Sequence, residues 1–407
     1  MDRSSLKSAI LLGALVLYGA FGSPTPDAFG IIEYAIAGLL IAAIGLSGFA
    51  HVLIPRITQF SFIQRSGLIF LAYGASVSVS NGILHGHSLG IVMRDMIAFG
   101  FLMLPLFFMK QLADSPIAFR RNLMIGCTVI GALFSARSIL NSLQVDASLL
   151  GMPITGDLLY LANMPTVLFT TLFLIGWSIH RLCQSRRLVS FWALIPIILA
   201  IAVITIGTLS MVLTMQRASL GCIALYTVIM IGMNLRKSPL RSTIIIVSFG
   251  IMLAAIWPML HAVLDMVVQK TTLTGFNKRF EEMAAVWDTA SSSPLTLLFG
   301  KGWGATFASP AVAGVTVSFT HSMLTTLLLK TGVIGVVLGG VYIWAIMKTL
   351  IGHMRQHTII ALALLFPFLI DIFLYASFKS LDFGLILTLV LASTAISSNH
   401  NNSVKHG

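Results

Sequence analysis

VSFWALIPIILAIAVITIGTLS, residues 189–210, runs for 22 positions without one charged side chain. A helix rises 1.5 Å per residue, so this stretch matches a hydrocarbon core about 30 Å thick. Arg181, Arg186 and Arg187 precede it. A short connection at Gln216 follows, then a second apolar run over 217–235, which ends on Arg236, Lys237 and Arg241. Two spans with basic residues at their outer flanks and none in the turn between them are the signature of a membrane hairpin.

The same grammar extends in both directions. Apolar runs occupy roughly 7–22, 28–50, 66–84, 92–110, 121–140, 158–180, 189–210, 217–235, 241–262, 321–347, 357–376 and 380–397. The expected fold is therefore all-α and polytopic, with about twelve transmembrane helices (ten to twelve, since the first and last runs are short). The whole chain, 1–407, reads as one integral membrane domain. Composition agrees: 57% of the 407 residues are hydrophobic, 9% are charged, and mean hydropathy is +0.96. Soluble domains carry about 25% charged residues, and nothing here would cover a water-soluble surface. Arg3 and Lys7 ahead of an apolar run, with Ala20-Phe21-Gly22 after it, imitate a cleaved signal. Because spans continue throughout, the segment is expected to be an uncleaved first helix.

The net charge of +12 does not indicate nucleic acid, because Lys and Arg fall in short clusters between apolar runs. Alternate connections hold Arg56 and Arg65; Lys110, Arg120 and Arg121; Arg181, Arg186 and Arg187; Arg236, Lys237 and Arg241; and Lys348 and Arg355. With Arg3, Lys7 and Lys405 at the termini, these make 16 of the 25 basic residues. The intervening short connections, Ser23 to Asp27, Asn81 to Ile91 and Asn141 to Asp157, are almost bare of them. The positive-inside rule then puts both termini in the cytoplasm. Cys127, Cys183 and Cys222 lack the spacing of a disulfide framework or a zinc site and are expected to pack structurally. No Asp-x-Asp, Walker-type or His-Glu-x-x-His pattern announces a metal or nucleotide, so no cofactor is expected.

One connection is long. Residues 263–320 lie on the outer face between spans nine and ten, and loops of this length are usually functional. Phe276, Phe280, Met283, Ala284 and Trp287 recur at helical spacing, which predicts an amphipathic helix at the membrane interface or over a cavity. Asn277 is placed to cap it, and Glu281 and Glu282 suit its first turn. Gly300-Lys301-Gly302-Trp303-Gly304 reads as a tight turn rather than a phosphate loop, for no strand precedes it.

Nine basic residues stand outside the alternating clusters: Arg94, Arg137, Arg217, Lys270, Lys278, Arg279, Lys301, Lys330 and Lys379. Arg94, Arg137 and Arg217 sit near outer ends of spans, where arginines snorkel or pair. Asp95 is available beside Arg94, and Glu33 is at a depth to partner Arg137. Lys330 lies nine residues into span ten. A lone charge there costs about 2.5–3.5 kcal/mol on insertion scales. Asp371 in span eleven lies at a matching depth, so a structural pair Lys330–Asp371 is expected. His321 opens span ten, which continues through Gly332 and Gly335, small residues suited to close helix packing.

In three features, residues 195–345 resemble the core of the O-antigen ligase and Wzy-type polymerase superfamily. Gln216-Arg217-Ala218-Ser219-Leu220-Gly221 is similar to the family's Arg at the start of a helix after a short outer connection. Arg279, then Trp287 and the Pro294 to Gly304 turn, form the second feature; His321 with Gly332 and Gly335 forms the third. Ser322 stands where the family usually has Asn, and Gln216 where it usually has Ser.

The resemblance implies a metal-independent glycosyltransferase of the bacterial inner membrane. Such an enzyme moves a glycan from undecaprenyl pyrophosphate to an acceptor sugar hydroxyl on the outer face. Its catalytic residues would be Arg217, Arg279 and His321, with Arg94, Arg137, Lys278, Lys301 and Trp303 binding substrate. Arginine forks match diphosphate oxygens, and histidine titrates near working pH, so these residue types suit that chemistry. The implied partners are the lipid-linked donor, a glycan or lipid A core acceptor, membrane lipids, a chain-length regulator and a flippase, with no nucleic acid. A polymerase of exopolysaccharide or O-antigen units is favoured over a ligase to lipid A core.

The rival class is a twelve-span transporter, including a flippase for the same lipids. Major-facilitator carriers place a long cytoplasmic loop between spans six and seven, where this chain has the short His180 to Leu188. They also carry an acidic motif between spans two and three, and His51 to Arg65 contains no acidic residue.

Overall fold

A computed structural model describes residues 3–24, 30–53, 61–143, 156–184, 191–236, 238–255, 261, 265, 278–312 and 314–405. Arg56, Arg186, Arg187, Lys237, Lys270, Phe276 and Asn277, which enter the sequence reading, lie outside the described residues.

The chain folds as helices: α1 (Arg3–Phe21), α2 (Ile31–Leu53), α3 (Phe62–Leu84), α4 (Leu89–Asp114), α5 (Pro116–Ser142), α6 (Pro165–Gln184), α7 (Phe191–Leu213), α8 (Arg217–Leu235) and α9 (Pro239–Ala255). After them come α10 (Arg279–Ala290), α11 (Pro294–Phe299), α12 (Met323–His353), α13 (Thr358–Phe373) and α14 (Leu381–Lys405). Among the described residues, each of the twelve apolar runs overlaps one of these helices. Among the described residues, eight helices are long and apolar enough to cross a membrane, and α1, α13 and α14 contribute shorter apolar stretches. The protein is an all-α, polytopic membrane protein.

Its surface has the polarity of a bilayer solute. Leu46, Trp192 and Val228 are 89%, 77% and 68% exposed, which water would penalise and lipid tails do not. The centre belongs to α14. Phe383, Leu385, Ile386, Leu387, Leu389 and Val390 are all fully buried, so the first half of this helix is enclosed on every side rather than along one stripe. Arg241 Nη1 and the Ser238 hydroxyl donate to the Cys183 carbonyl at 3.1 and 3.0 Å, tying α9 to α6 at one end of the bundle.

The opposite end is organised by a break in α12. Gly332 has φ +65° inside that helix, a left-handed conformation open to glycine. The break frees carbonyls that an unbroken helix would use internally. Tyr73 Oη donates to Thr331 O at 2.8 Å, Lys301 N to Leu329 O at 2.9 Å, and Gly302 N to Lys330 O at 3.0 Å. A single π-turn in α3, Gly74–Ser78, does the same on the facing helix. Trp303 N donates to Ser78 O at 3.0 Å and its indole N–H to Gly74 O at 2.7 Å. Residues 300–304 are thus a wedge stitched between α3 and α12, with Gly300, Gly302 and Gly304 all at positive φ.

α10, α11 and a two-residue antiparallel ribbon, Phe307–Ala308 with Thr316–Val317, sit on this end. Val286, Ala305, Phe307 and Leu329 form a small core that fastens them to α12. The stripe expected on α10 is present but faces outward: Phe280, Met283 and Trp287 are exposed, while Glu282, Val286 and Ala290 are buried. A helix that exposes its aromatics and buries a carboxylate fits an interface-lying helix. Lys278, in the left-handed region, immediately precedes it.

Candidate active site

Arg217 is the first residue of α8, and Met215 before it turns the chain at φ 54°. Arg279 is the first residue of α10, and His321 lies two positions before α12. Three elements far apart in sequence therefore present these side chains at the same end of the fold.

Glu282 joins them. One turn after Arg279, it is buried and forms three hydrogen bonds. His321 Nδ1 lies 2.9 Å from its Oε2, the His321 amide donates to the same oxygen at 3.1 Å, and Ser309 Oγ donates to Oε1 at 2.8 Å. Burial alone would raise the Glu282 pKa, but the hydrogen bonds and charge of His321, with Ser309, outweigh it and hold the carboxyl below its usual value. An ionised Glu282 fixes the imidazole with its proton on Nδ1 and leaves Nε2 as an acceptor. The imidazole keeps 38% of its side-chain surface open.

Arg279 lies within electrostatic reach of Tyr375, Glu282 and Arg217. Burial lowers its pKa first, Tyr375 and Glu282 counteract that, and Arg217 lowers it again by repulsion. Guanidinium remains charged throughout this range, so two like charges lie within electrostatic reach of each other near the His321–Glu282 pair. Arg279 Nε is buried and makes no hydrogen bond. Tyr375, immediately before a 3-10 turn over Ala376–Lys379, lies within reach of Ser219 on the first turn of α8 and of the Arg279 charge. Paired guanidinium groups beside an oriented imidazole can bind a polyanion and take a proton from a neighbouring hydroxyl.

The sequence reading treated Glu282 only as a favourable first-turn acid and did not select Tyr375. The available signal for Glu282 was its i+3 spacing from Arg279, which places both on one helix face.

The expected pair Lys330–Asp371 does not form. Lys330 is fully buried and bonds Asp95 on α4, and it donates to Ala305 O at 3.2 Å. Asp371 instead accepts the Ser377 hydroxyl, six residues along its own chain and past the end of α13. Depth matched in both alternatives; the wedge decided, because Gly304 N also donates to Asp95 Oδ2 at 2.6 Å and brings that carboxylate to Lys330. Asp95 is therefore not the partner of Arg94. Arg94 Nη2 donates to Ser318 Oγ at 3.1 Å.

Nor does Arg137 meet Glu33. Its Nη1 donates to Gly19 O at 3.1 Å and Gly22 O at 2.9 Å, closing the end of α1 onto α5, while Glu33 accepts the Gly30 amide at 2.9 Å. Arg137 and Trp303, 5% and 3% exposed, are committed to the framework rather than presented to a ligand. Lys278 is exposed just before α10, and Lys301 is half-buried in the wedge itself. Cys127 and Cys183 are buried and Cys222 is half-buried, all three as free thiols. Among the described residues, no group of three or more His, Cys, Asp or Glu is placed to hold a metal ion.

Compared with known proteins, the chain matches no family model, and no curated protein matches it at a significant level.

Proposed function

We propose that this protein is a membrane glycosyltransferase of the inner membrane. It would take a glycan from undecaprenyl pyrophosphate and pass it to an acceptor sugar hydroxyl on the outer face, as a Wzy-type polymerase of exopolysaccharide or O-antigen units does. The observation that carries this reading is the meeting of Arg217, Arg279 and a Glu282-oriented His321 at one end of an apolar bundle. In the proposed topology the chain crosses twelve times, both termini are cytoplasmic, and this end faces outward.

The chemistry follows from the parts. His321 Nε2 takes the proton of the acceptor hydroxyl as its oxygen bonds the anomeric carbon. The bond from that carbon to the diphosphate oxygen breaks, and the diphosphate departs with the electron pair. Arg217 and Arg279 stabilise the charge that grows on it, in a setting shielded from bulk water. Glu282 stabilises the imidazolium that forms, a positioning role.

The test is transfer by purified protein in liposomes supplied with lipid-diphosphate-linked glycan. Product is expected from wild type and not from His321→Ala or Arg217→Ala at equal protein level. A polymerase yields lengthened chains on the carrier lipid, and a ligase consumes the carrier-linked chain only when lipid A core is added. Movement of the glycan lipid between leaflets without any new glycosidic bond would establish the transport class instead.

A further inference from the structure

Two carboxyl groups lie inside the bundle without a cation. Asp371, on the last turn of α13, and Asp382, on the first turn of α14, are 1% and 0% exposed and stand within electrostatic reach of each other. Among the described residues neither belongs to an ion pair. Lys330 pairs with Asp95, Arg137 is engaged by the carbonyls of Gly19 and Gly22, and Lys379, on the turn between the two acids, stands over the Phe319 ring. The other titratable groups within reach are Tyr375 for Asp371, and Tyr18 and Cys127 for Asp382.

Their surroundings divide the two. Asp382 accepts the Tyr18 hydroxyl on Oδ2 and the Thr166 hydroxyl on Oδ1, so both of its oxygens are occupied as acceptors. It also sits at the positive end of α14, where an anion is favoured. That is the setting of an ionised carboxylate. Asp371 sits at the negative end of α13, where an anion is disfavoured. Its Oδ1 accepts the Ser377 hydroxyl, and its Oδ2 is buried without a hydrogen bond. Two neighbouring carboxylates with no cation do not both ionise in a low dielectric, and the one short of donors takes the proton. An acid hydroxyl left without an acceptor costs far less there than a bare charge.

We propose that Asp371 is a proton-binding site within the membrane, loaded with one exchangeable proton on Oδ2 beside an ionised Asp382. Loading moves one proton from water to that oxygen. It leaves the pair a single negative charge, held by the Tyr18 and Thr166 hydroxyls and the start of α14. The route to water leads toward the open end of the bundle. Half-buried Tyr375 lies within reach of both Asp371 and Arg279, so its hydroxyl adjoins the carboxyl on one side and the arginine cluster on the other. Intramembrane carboxyls of this kind mark proton paths. The inference does not rest on the glycosyl-transfer reading, because the proton is detected with no glycan lipid present.

Infrared spectroscopy of the full chain in phosphatidylcholine nanodiscs tests this directly. A protonated carboxylic acid absorbs in a carbonyl region of its own, clear of carboxylates and amides, and shifts down in D2O. Wild type at pH 7 is expected to show such a band, and D2O to shift it. Asp371→Asn should fold to the wild-type yield, since it copies the neutral acid, and should lose the band. Asp371→Glu should move the band without removing it, and Asp382→Asn should keep it. Absence of the band in wild type, its persistence in Asp371→Asn, or its loss in Asp382→Asn alone would overturn the proposal. Should Asp371→Asn yield too little protein, an unmoved band in Asp371→Glu would overturn it equally. A band that D2O leaves in place would mean a sealed structural proton. One bleached by sodium chloride but not by choline chloride would mean a sodium site. Either result overturns the proposal as well.

Discussion

Lys330 and Asp95 form an ion pair with no side-chain surface exposed on either partner, and the Asp95 oxygen that meets Lys330 also accepts the Gly304 amide. One carboxylate thus ties three segments together: α4, α12 and the glycine wedge. Removing one member of a buried pair costs about 3–5 kcal/mol, because the other charge is left unpaired. Lys330→Ala and Asp95→Ala should each sharply lower the yield of folded protein, measured by fluorescence-detected size exclusion. Lys330→Met/Asp95→Leu, which removes both charges, should recover much of it. A normal yield for Lys330→Ala with activity lost would instead place Lys330 in the chemistry.

The wedge makes a second prediction about backbone rather than charge. A Cβ added at Gly332 would stand 2.4 Å from Leu298 O, on a residue with φ +65°. One added at Gly82 would stand 2.3 Å from Trp303 O. Gly332→Ala and Gly82→Ala should both lower the thermal midpoint in detergent markedly. Gly340→Ala, in the same helix as Gly332 with nothing within 4 Å of the new carbon, should leave it level or raise it slightly. Equal effects at Gly332 and Gly340 would remove the structural role assigned to the break.

Sidedness follows from the basic clusters and is open to labelling. In a Cys-free background, Phe280→Cys lies at a position 72% exposed on α10 and should react with an impermeant maleimide in intact cells. Arg186→Cys should react only after permeabilisation. The reverse pattern would invert the proposed topology and put the His321 cluster on the cytoplasmic face.

The spans were legible because hydropathy over about 20 residues is a one-dimensional signal that lipid enforces. Among the described residues each of the twelve apolar runs overlaps a helix, and eight of those helices are long and apolar enough to cross a membrane. The amphipathic stripe of α10 was legible for the same reason, since it needs only a period. Partner choice was not. Depth made Asp371 acceptable for Lys330 and Glu33 acceptable for Arg137, yet Lys330 meets Asp95 and Arg137 meets the carbonyls of Gly19 and Gly22. Helix rotation and the wedge decide those contacts, and neither has a local sequence signature. Trp303 shows the same limit: the family resemblance put it among the substrate-binding residues, whereas a π-turn in α3 supplies the carbonyl that takes its indole N–H.

Glu282 gives a prediction about pH. Its carboxyl titrates lower in the folded protein than in the unfolded chain, where a glutamate has a pKa of about 4.3. A depressed pKa contributes stability that is fully present above the unfolded value and is lost as pH falls through the folded one. Wild type should therefore exceed Glu282→Gln in thermal midpoint at neutral pH, and the gap should narrow as the pH drops below about 4. A gap constant from pH 7 to pH 3 would mean that the ionised carboxylate is not what stabilises the fold.

The sharpest prediction joins the four polar residues of the site. If His321 is the base, His321→Ala should lower transfer by about 10²–10⁴. A histidine that merely sat at the interface would tolerate Gln. Arg217→Ala and Arg279→Ala should each cost about 10²–10³ in kcat, because the charge they stabilise develops only as the diphosphate leaves. Lysine should rescue neither fully, since an ammonium lacks the planar fork. Glu282→Gln should lower kcat by up to about 10⁴, as loss of an orienting carboxylate does when the imidazole takes the wrong tautomer. It should leave KM for the lipid-linked donor near wild type, because Glu282 touches the imidazole and not the diphosphate. Transfer assays on reconstituted variants, run from pH 5 to 9 with protein level matched, separate the outcomes. Near-normal transfer by both Arg217→Ala and His321→Ala would remove the site, and an unchanged kcat in Glu282→Gln, or a kcat loss matched by an equal rise in KM for the donor, would leave His321 without its proposed positioning residue.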